Sequence, residues 1–469
     1  MGNALLAATV PGPVNHDLII VGGGAGGLGA ARAARWAGAD VLLVNDGPLG
    51  GDCTFTGCVP SKTLLAAAAD GLGFDEAMRR VADSVELIAA TETADVLRKE
   101  GVNVTEGRAR LVTHDSIAVG DQSISAPRII VATGARPVMP PIPGLDEVAR
   151  NDVLTNETVF SLAAAPATIG IIGGGAVGCE LAQAFAGLGV GVTLFEGLPR
   201  LLSREEPAAS SVVEQALRNA GVTVETGSMI GRVEPRADGI AVVAPSGETV
   251  VEKLLLAVGR APNSAGMGLE ELGVELDGRG HVATNDRLET AVRGVFAVGD
   301  VTGKLPFTHA ADEMGRLAAG NALRKGVRGR FRTSWIPWAT FTNPEVARVG
   351  MTEDEAVERG GRVAELPMAE MDRAITDGRT EGFVKLIAGP KPVTRNAFGG
   401  QLLGATIVAP RAGEMIHEVA LAMRTKMFTG RLAQTVHAYP TWSYAIQKTA
   451  GQFFGDVEGR SARPAGKGR

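Results

Sequence analysis

Short apolar runs that end in glycine, each followed by an alanine-rich stretch, set the rhythm of the first half of the chain. Asp17-Leu18-Ile19-Ile20-Val21 predicts a strand that runs into Gly22-x-Gly24-x-x-Gly27, then a helix over 30–37, then a second strand over 41–44. The same order returns at 168–172, with Gly173-x-Gly175-x-x-Gly178, a helix over 180–188 and a strand over 192–195. Further on, strands over 382–388 and 401–408 alternate with a long helix over 412–426. The pattern predicts an α/β protein with two Rossmann-like dinucleotide-binding units and a C-terminal α+β domain.

Both glycine runs have a physical reading. Gly22 permits the tight turn, Gly24 lets the backbone approach a pyrophosphate and Gly27 allows close helix packing, while amide groups at the helix start hold the anion. Gly173, Gly175 and Gly178 repeat those roles. Two such units in one chain imply two bound nucleotides. In the first copy the ribose-binding acid is expected just after the second strand, where Asn45 and Asp46 stand; either can hydrogen-bond a ribose hydroxyl. In the second copy Glu196 fills that place, which favours NADH over NADPH because a carboxylate repels a 2′-phosphate. Arg200 and Arg204 lie close enough in sequence to argue for NADPH.

Composition narrows the function classes. The 469 residues exceed the size of a single core, so several domains are expected. Gly is abundant at 63 and aromatics are only 4%, in keeping with many strand-to-helix turns. With 46 basic and 52 acidic residues intermingled, no broad positive field exists to hold a nucleic acid. No apolar run is long enough to span a membrane, and no secretory leader pattern opens the chain. The sequence reads as that of a soluble cytoplasmic protein.

Two of the three cysteines, Cys53 and Cys58, stand in Gly-Gly-Asp-Cys-Thr-Phe-Thr-Gly-Cys-Val-Pro-Ser-Lys, shortly after the first glycine run. So short a separation can close a disulfide ring if the segment bends, and Gly51, Gly57 and Pro60 supply bends. The pair reads as a redox couple, against the alternative of two buried reduced thiols. Cys179, inside the second glycine-turn unit, reads as a packed small hydrophobe.

With these pieces the chain resembles the pyridine nucleotide-disulfide oxidoreductases, the flavoproteins that include dihydrolipoamide dehydrogenase, glutathione reductase and mercuric reductase. The resemblance covers roughly residues 16–455 and rests on both fingerprints, the Cys53 to Lys62 run, Ala132-Thr133-Gly134, Gly259-Arg260-x-Pro262-Asn263, Val295-Phe296-Ala297-Val298-Gly299-Asp300 and Phe341-Thr342-x-Pro344-Glu345. It implies FAD on the first fingerprint, Asp300 at the ribityl and pyrophosphate region, Cys58 against the flavin and Cys53 toward the substrate. It also implies a Lys62–Glu180 pair near the reactive edge of the flavin, and NADH or NADPH on the second fingerprint. A helix start at Cys58 would favour the thiolate.

The chain departs from the family at His437-Ala438-Tyr439-Pro440-Thr441-Trp442-Ser443-Tyr444. Disulfide-reducing members carry His and Glu where Tyr439 and Tyr444 stand, an acid-base couple that protonates a leaving thiolate. A phenol with a pKa of about 10 is a poor shuttle at neutral pH. His437 is a candidate substitute, with a structural role as the alternative. Mercuric reductases share the Tyr and the Cys-Val-Pro-Ser-Lys run but carry a C-terminal cysteine pair that is missing from 454–469.

The expected organisation is an FAD domain over 16–150 and 268–334, an NAD(P)-binding domain over 151–267, an interface domain over 335–456, and loose tails at 1–15 and 457–469. In the resemblance the protein is a homodimer with a composite active site, passing electrons from NAD(P)H through flavin and the dithiol to an unidentified small-molecule or metal-ion acceptor. Three alternatives stand beside this reading: a mercuric-type reductase, direct flavin-to-quinone transfer, and a non-catalytic nucleotide sensor.

Overall fold

In the computed structural model, residues 14–324 and 326–467 are described. Packing separates them into two compact units, one from 14–55, 86–136 and 260–331, the other from 56–85, 137–259 and 332–467.

A five-stranded parallel sheet organises the first unit, in the order Val295–Ala297, Ile129–Val131, Leu18–Val21, Val41–Asn45, Asn103–Glu106. Ile19 pairs with Leu42 on one side and Ile129 on the other, so the first apolar run is the central strand, and all four of its residues are buried. Two helices, Ala25–Trp36 and Thr308–Leu323, meet through small residues. A Cβ on Gly315 would come 2.0 Å from the Gly26 carbonyl oxygen, so only glycine fits at that crossing. A second sheet of Val14–Asn15, Gln122–Ser125, Ser116–Val119 and Ala109–Thr113 shares its core with the first through Leu111, Ile117, Ile19 and Val131.

In the second unit another parallel sheet runs Val153–Leu154, Lys253–Leu256, Thr168–Ile172, Gly191–Phe195, Thr223–Glu225. Ile171 pairs with Leu194 and Leu255, as its counterpart Ile20 pairs with Leu43 and Ile130 in the first sheet. Helix Cys58–Ala69 packs along Ala176–Gly187, and a Cβ on Gly187 would lie 3.1 Å from Ala68 Cβ. An antiparallel sheet of six strands follows, in the order Trp338–Thr340, Glu345–Gly350, Gln401–Ala409, Phe383–Gly389, Arg362–Pro367, Arg463–Pro464. Helix Ala412–Arg424 covers it by setting Met415, Ile416 and Val419 against Ala347, Ala405 and Ile407. The α/β class with two Rossmann-like units is therefore the observed one. Among the described residues, no helix is long and apolar enough to cross a membrane.

Two expectations change. Both fingerprint helices begin earlier than their alanine content suggested, at Ala25 and Ala176, because the glycine turns form the first helical turn themselves. Low glycine propensity is overridden by the close packing that only glycine permits. Of the expected tail at 457–469, residues 468–469 lie outside the described residues, while Arg463–Pro464 pairs with Arg362–Pro367, and Arg463 Nη1 sits 2.5 Å from the fully buried Glu353. Of the expected tail at 1–15, residues 1–13 lie outside the described residues, while Val14 and Asn15 pair with Ile124 and Ser125.

Candidate functional site

In the first unit the glycine run leaves the central strand at Gly22, whose φ is 110°. A Cβ there would meet the Ala132 carbonyl oxygen at 2.3 Å, and one at Gly27 would meet the Gly22 carbonyl oxygen at 1.8 Å. Helix Ala25–Trp36 starts at Gly24 with no side-chain cap and no acidic residue in its first turn, so its leading amides remain available to an anion. The Gly23 amide is the exception, donating to Asn45 Oδ1 at 2.7 Å. Asn45 Nδ2 donates in turn to the Gly47 and Pro48 carbonyls, at 2.8 and 3.2 Å. Asn45 is thus the brace of the turn, and Asp46 is an exposed residue beside it.

The cysteine run is fastened to this turn by backbone. Gly50 N donates to Gly23 O at 2.8 Å, and at Gly51, with φ of 64°, a Cβ would lie 2.8 Å from Gly24 Cα. Cys53 follows in the short helix Gly51–Phe55 and is half-buried. The neighbouring Asp52 pairs with Arg260, which also reaches the Ala135 carbonyl and stands 3.5 Å from Asp300 Oδ2 through Nε. Burial pushes the Asp300 carboxyl above the usual range, with Asp52 adding to the rise and the Arg260 guanidinium opposing it. Ala132-Thr133-Gly134 is zipped to the Arg260 segment: Thr133 Oγ1 donates to Asn263 O at 2.7 Å, and Asn263 N donates to Gly134 O at 3.0 Å.

These residues fit FAD. The uncapped helix start suits a pyrophosphate, Gly134 has nothing within 4 Å of a Cβ position, and Arg260 Nε is buried without a hydrogen bond.

The second unit holds the other half of the expected residues. Cys58 is the first residue of helix Cys58–Ala69 and is exposed; Lys62 lies one turn further on. Because that helix packs on Ala176–Gly187, Lys62 Nζ reaches Glu180 Oε2 at 2.7 Å. Glu180 is 3% exposed, and its other oxygen accepts the Phe341 amide at 2.8 Å. The Phe341 ring lies under the ammonium, 4.7 Å from it. Glu345, from the same motif as Phe341, has its carboxyl raised by burial against a hydrogen bond from Gly413 N.

The second fingerprint repeats the first in detail. A Cβ at Gly173 would meet Ala257 O at 2.5 Å, and one at Gly178 would meet Gly173 O at 1.9 Å, whereas Gly175 and Gly259 face open space. Glu196 braces this turn through Gly174 N at 2.6 Å and takes Leu198 N at 2.7 Å on its other oxygen. Arg200 donates to the Leu202 and Ser203 carbonyls and to Ser210 Oγ, so its guanidinium is committed to the loop; Arg204 is exposed. Cys179 is fully buried, its thiol pushed far up by burial and by the charges of Glu180 and Glu196. It makes no nucleophile.

At the C-terminal departure, Tyr439 is exposed and donates its hydroxyl to Asp372 Oδ2 at 2.6 Å. Tyr444, the first residue of helix Tyr444–Gly451, meets it edge-on at 6.1 Å. His437 faces elsewhere: Nε2 lies 2.9 Å from Glu418 Oε2 and Nδ1 2.9 Å from the Thr435 carbonyl. Burial lowers its pKa, but Glu418 and the Thr435 carbonyl outweigh that and hold it raised. Both ring nitrogens are thus engaged with Glu418 and the Thr435 carbonyl rather than with Tyr439. Asp372 and Glu418 carry no motif signal, and only the fold brings them to these positions; Asp52 lies inside the cysteine run, but its pairing with Arg260 is set by the fold.

Profile comparison matches residues 16–315 to the pyridine nucleotide-disulphide oxidoreductase family and 336–450 to the dimerisation domain of the same family. The chain belongs to that family. As a pyridine nucleotide-disulphide oxidoreductase it is an FAD-dependent enzyme. It is 36% identical to a mercuric reductase of Streptomyces lividans over 471 aligned residues, covering 94% of this chain and 97% of that protein. To a dihydrolipoyl dehydrogenase of Thermus scotoductus it is 34% identical over 459 residues, covering 93% and 96%. It also superposes on the Cu(II) complex of RclA, an HOCl-induced flavoprotein disulfide reductase of Escherichia coli, with a TM-score of 0.85 at 29% identity, over 93% and 99% of the two chains.

Proposed function

We propose that this flavoenzyme passes two electrons from NAD(P)H to a Cys53–Cys58 couple and from there to an external acceptor. The observation that carries the reading is the Lys62–Glu180 pair, in which Lys62 stands one turn along the helix that Cys58 opens and Glu180 meets it from helix Ala176–Gly187. FAD, when bound, takes up the electrons of NAD(P)H and delivers them to the sulfur pair. The Cys53–Cys58 bond breaks as two electrons arrive; one proton comes with the NAD(P)H and one from solvent. The start of the helix favours the Cys58 thiolate, and the Lys62 ammonium would stabilise negative charge that develops beside it. Buried Glu180 fixes where that ammonium points.

Segments 16–150 and 268–334 would hold FAD and 151–267 the nicotinamide nucleotide. NADH is the favoured donor, since Glu196 occupies the ribose-binding place and Arg200 is spent on its own loop. A homodimer with a composite site would bring Tyr439 and Tyr444 of one subunit to the cysteines of another, and a reducing cytoplasm suits the pair.

The test is anaerobic titration with NADH. A long-wavelength thiolate-to-flavin absorption band should form in the wild type and vanish in Cys58→Ser. Unchanged band and turnover in Cys58→Ser would overturn the cysteine route and leave direct transfer from flavin to a quinone. Reoxidation of the two-electron-reduced enzyme with lipoamide, a benzoquinone and Hg(II) then ranks the acceptors.

A further inference from the structure

We propose that Asp372 is a positioning residue for Tyr439: it holds the phenol hydrogen and so dedicates this position to acceptors that need no proton from it. The inference rests on the reading of Tyr439 as part of the acceptor site. The contact is 2.6 Å, and since a carboxylate only accepts, the phenol must be the donor. The two residues stand 67 positions apart in the chain, with Asp372 opening the short helix Asp372–Thr376.

The surroundings leave Asp372 as the charge that governs the phenol. Arg373, the adjacent cation, is held by Asp377 at 2.9 Å. His437 is engaged with Glu418, and Tyr444 offers Tyr439 a ring edge that fixes its plane. Releasing the phenol proton would place a phenolate against a carboxylate, so Tyr439 ionises above its ordinary range, the Asp372 hydrogen bond being the chief cause. An imidazole at this position would give and take a proton near pH 7; this phenol, pinned to an anion, does neither. A disulfide acceptor, whose leaving thiolate must be protonated, gains no help here. Soft metal ions and one-electron oxidants, which require no such proton, lose nothing.

Only two tyrosines occur in the chain, which makes the test direct. Holoenzyme labelled with carbon-13 at tyrosine Cζ gives two resonances, and Tyr444→Phe assigns them. Asp372→Asn should lower the ionisation midpoint of Tyr439, and Asp372→Glu should restore it. In a second arm, Tyr439→His should raise lipoamide turnover relative to ferricyanide at least several-fold when Asp372 is present, and less in the Asp372→Asn background. An unmoved Tyr439 midpoint in Asp372→Asn overturns the proposal, as does an equal gain from Tyr439→His in both backgrounds. Because the resonance titration needs no turnover, it decides the role of Asp372 even if Cys58→Ser disproves the cysteine route.

Discussion

Glu196 Oε2 accepts the Gly174 amide at 2.6 Å, the same contact that Asn45 Oδ1 makes with Gly23 at 2.7 Å in the first fingerprint. In each copy the residue expected to meet a ribose braces the glycine turn, so a proposed nucleotide contact and an observed local brace fall on one side chain. Asn45→Ala should therefore cost about 1–2 kcal/mol, the penalty of a part-buried amide left without its acceptor. Asn45→Asp keeps the Gly23 bond but loses both donated bonds to the Gly47 and Pro48 carbonyls. FAD release on heating, followed by flavin fluorescence, should occur earlier in both variants.

Gly175 and Gly178 separate binding from folding. A methyl at Gly175 meets nothing within 4 Å, whereas one at Gly178 lies 1.9 Å from the Gly173 carbonyl oxygen. Gly175→Ala should fold with an unchanged melting temperature and bind NADH roughly tenfold more weakly, about 1.4 kcal/mol. Gly178→Ala should lose folded protein. Calorimetry of NADH binding and thermal melting check the two outcomes.

Lys62 and Glu180 are unequal partners, with Lys62 part-exposed and Glu180 buried. Lys62→Met leaves the carboxylate with the Phe341 amide alone, and should cost about 1–2 kcal/mol after allowing for the exposure of the lysine. Lys62→Met combined with Glu180→Gln should recover part of that loss in urea unfolding, because no buried charge is then unpaired. A double variant less stable than Lys62→Met would contradict the account.

Acid stability should depend on Glu353. Burial acts to raise its pKa, but hydrogen bonds from Arg463 and Lys385 prevail and bring it from 4.5 down to about 2. A carboxyl with a lowered folded pKa contributes stability that is full above about pH 4.5 and is lost as pH falls toward 2, on the order of 3 kcal/mol. Lys385 has the opposite sign: its pKa is raised by its glutamate partners against burial, so its contribution holds at neutral pH and fades only in strong alkali. Arg463→Ala should reduce stability at pH 7 and flatten its decline between pH 4.5 and 2. Urea midpoints across that range give the measurement.

The sequence by itself determined both nucleotide turns, the strand and helix order around them and the cysteine run, because each requirement is local. A tight turn, a close backbone approach and a helix start all fall within a few residues, and glycine spacing states them directly. It also set the chain's two tyrosines, Tyr439 and Tyr444, in one short stretch. It could not show that Asp372 holds Tyr439, that Glu418 locks His437 or that Arg463 secures the end of the chain to Glu353. Those contacts join residues far apart in the chain, and no local pattern encodes them. Only the packed sheets and helices bring such side chains within bonding distance, and burial then sets the protonation of groups such as Glu353.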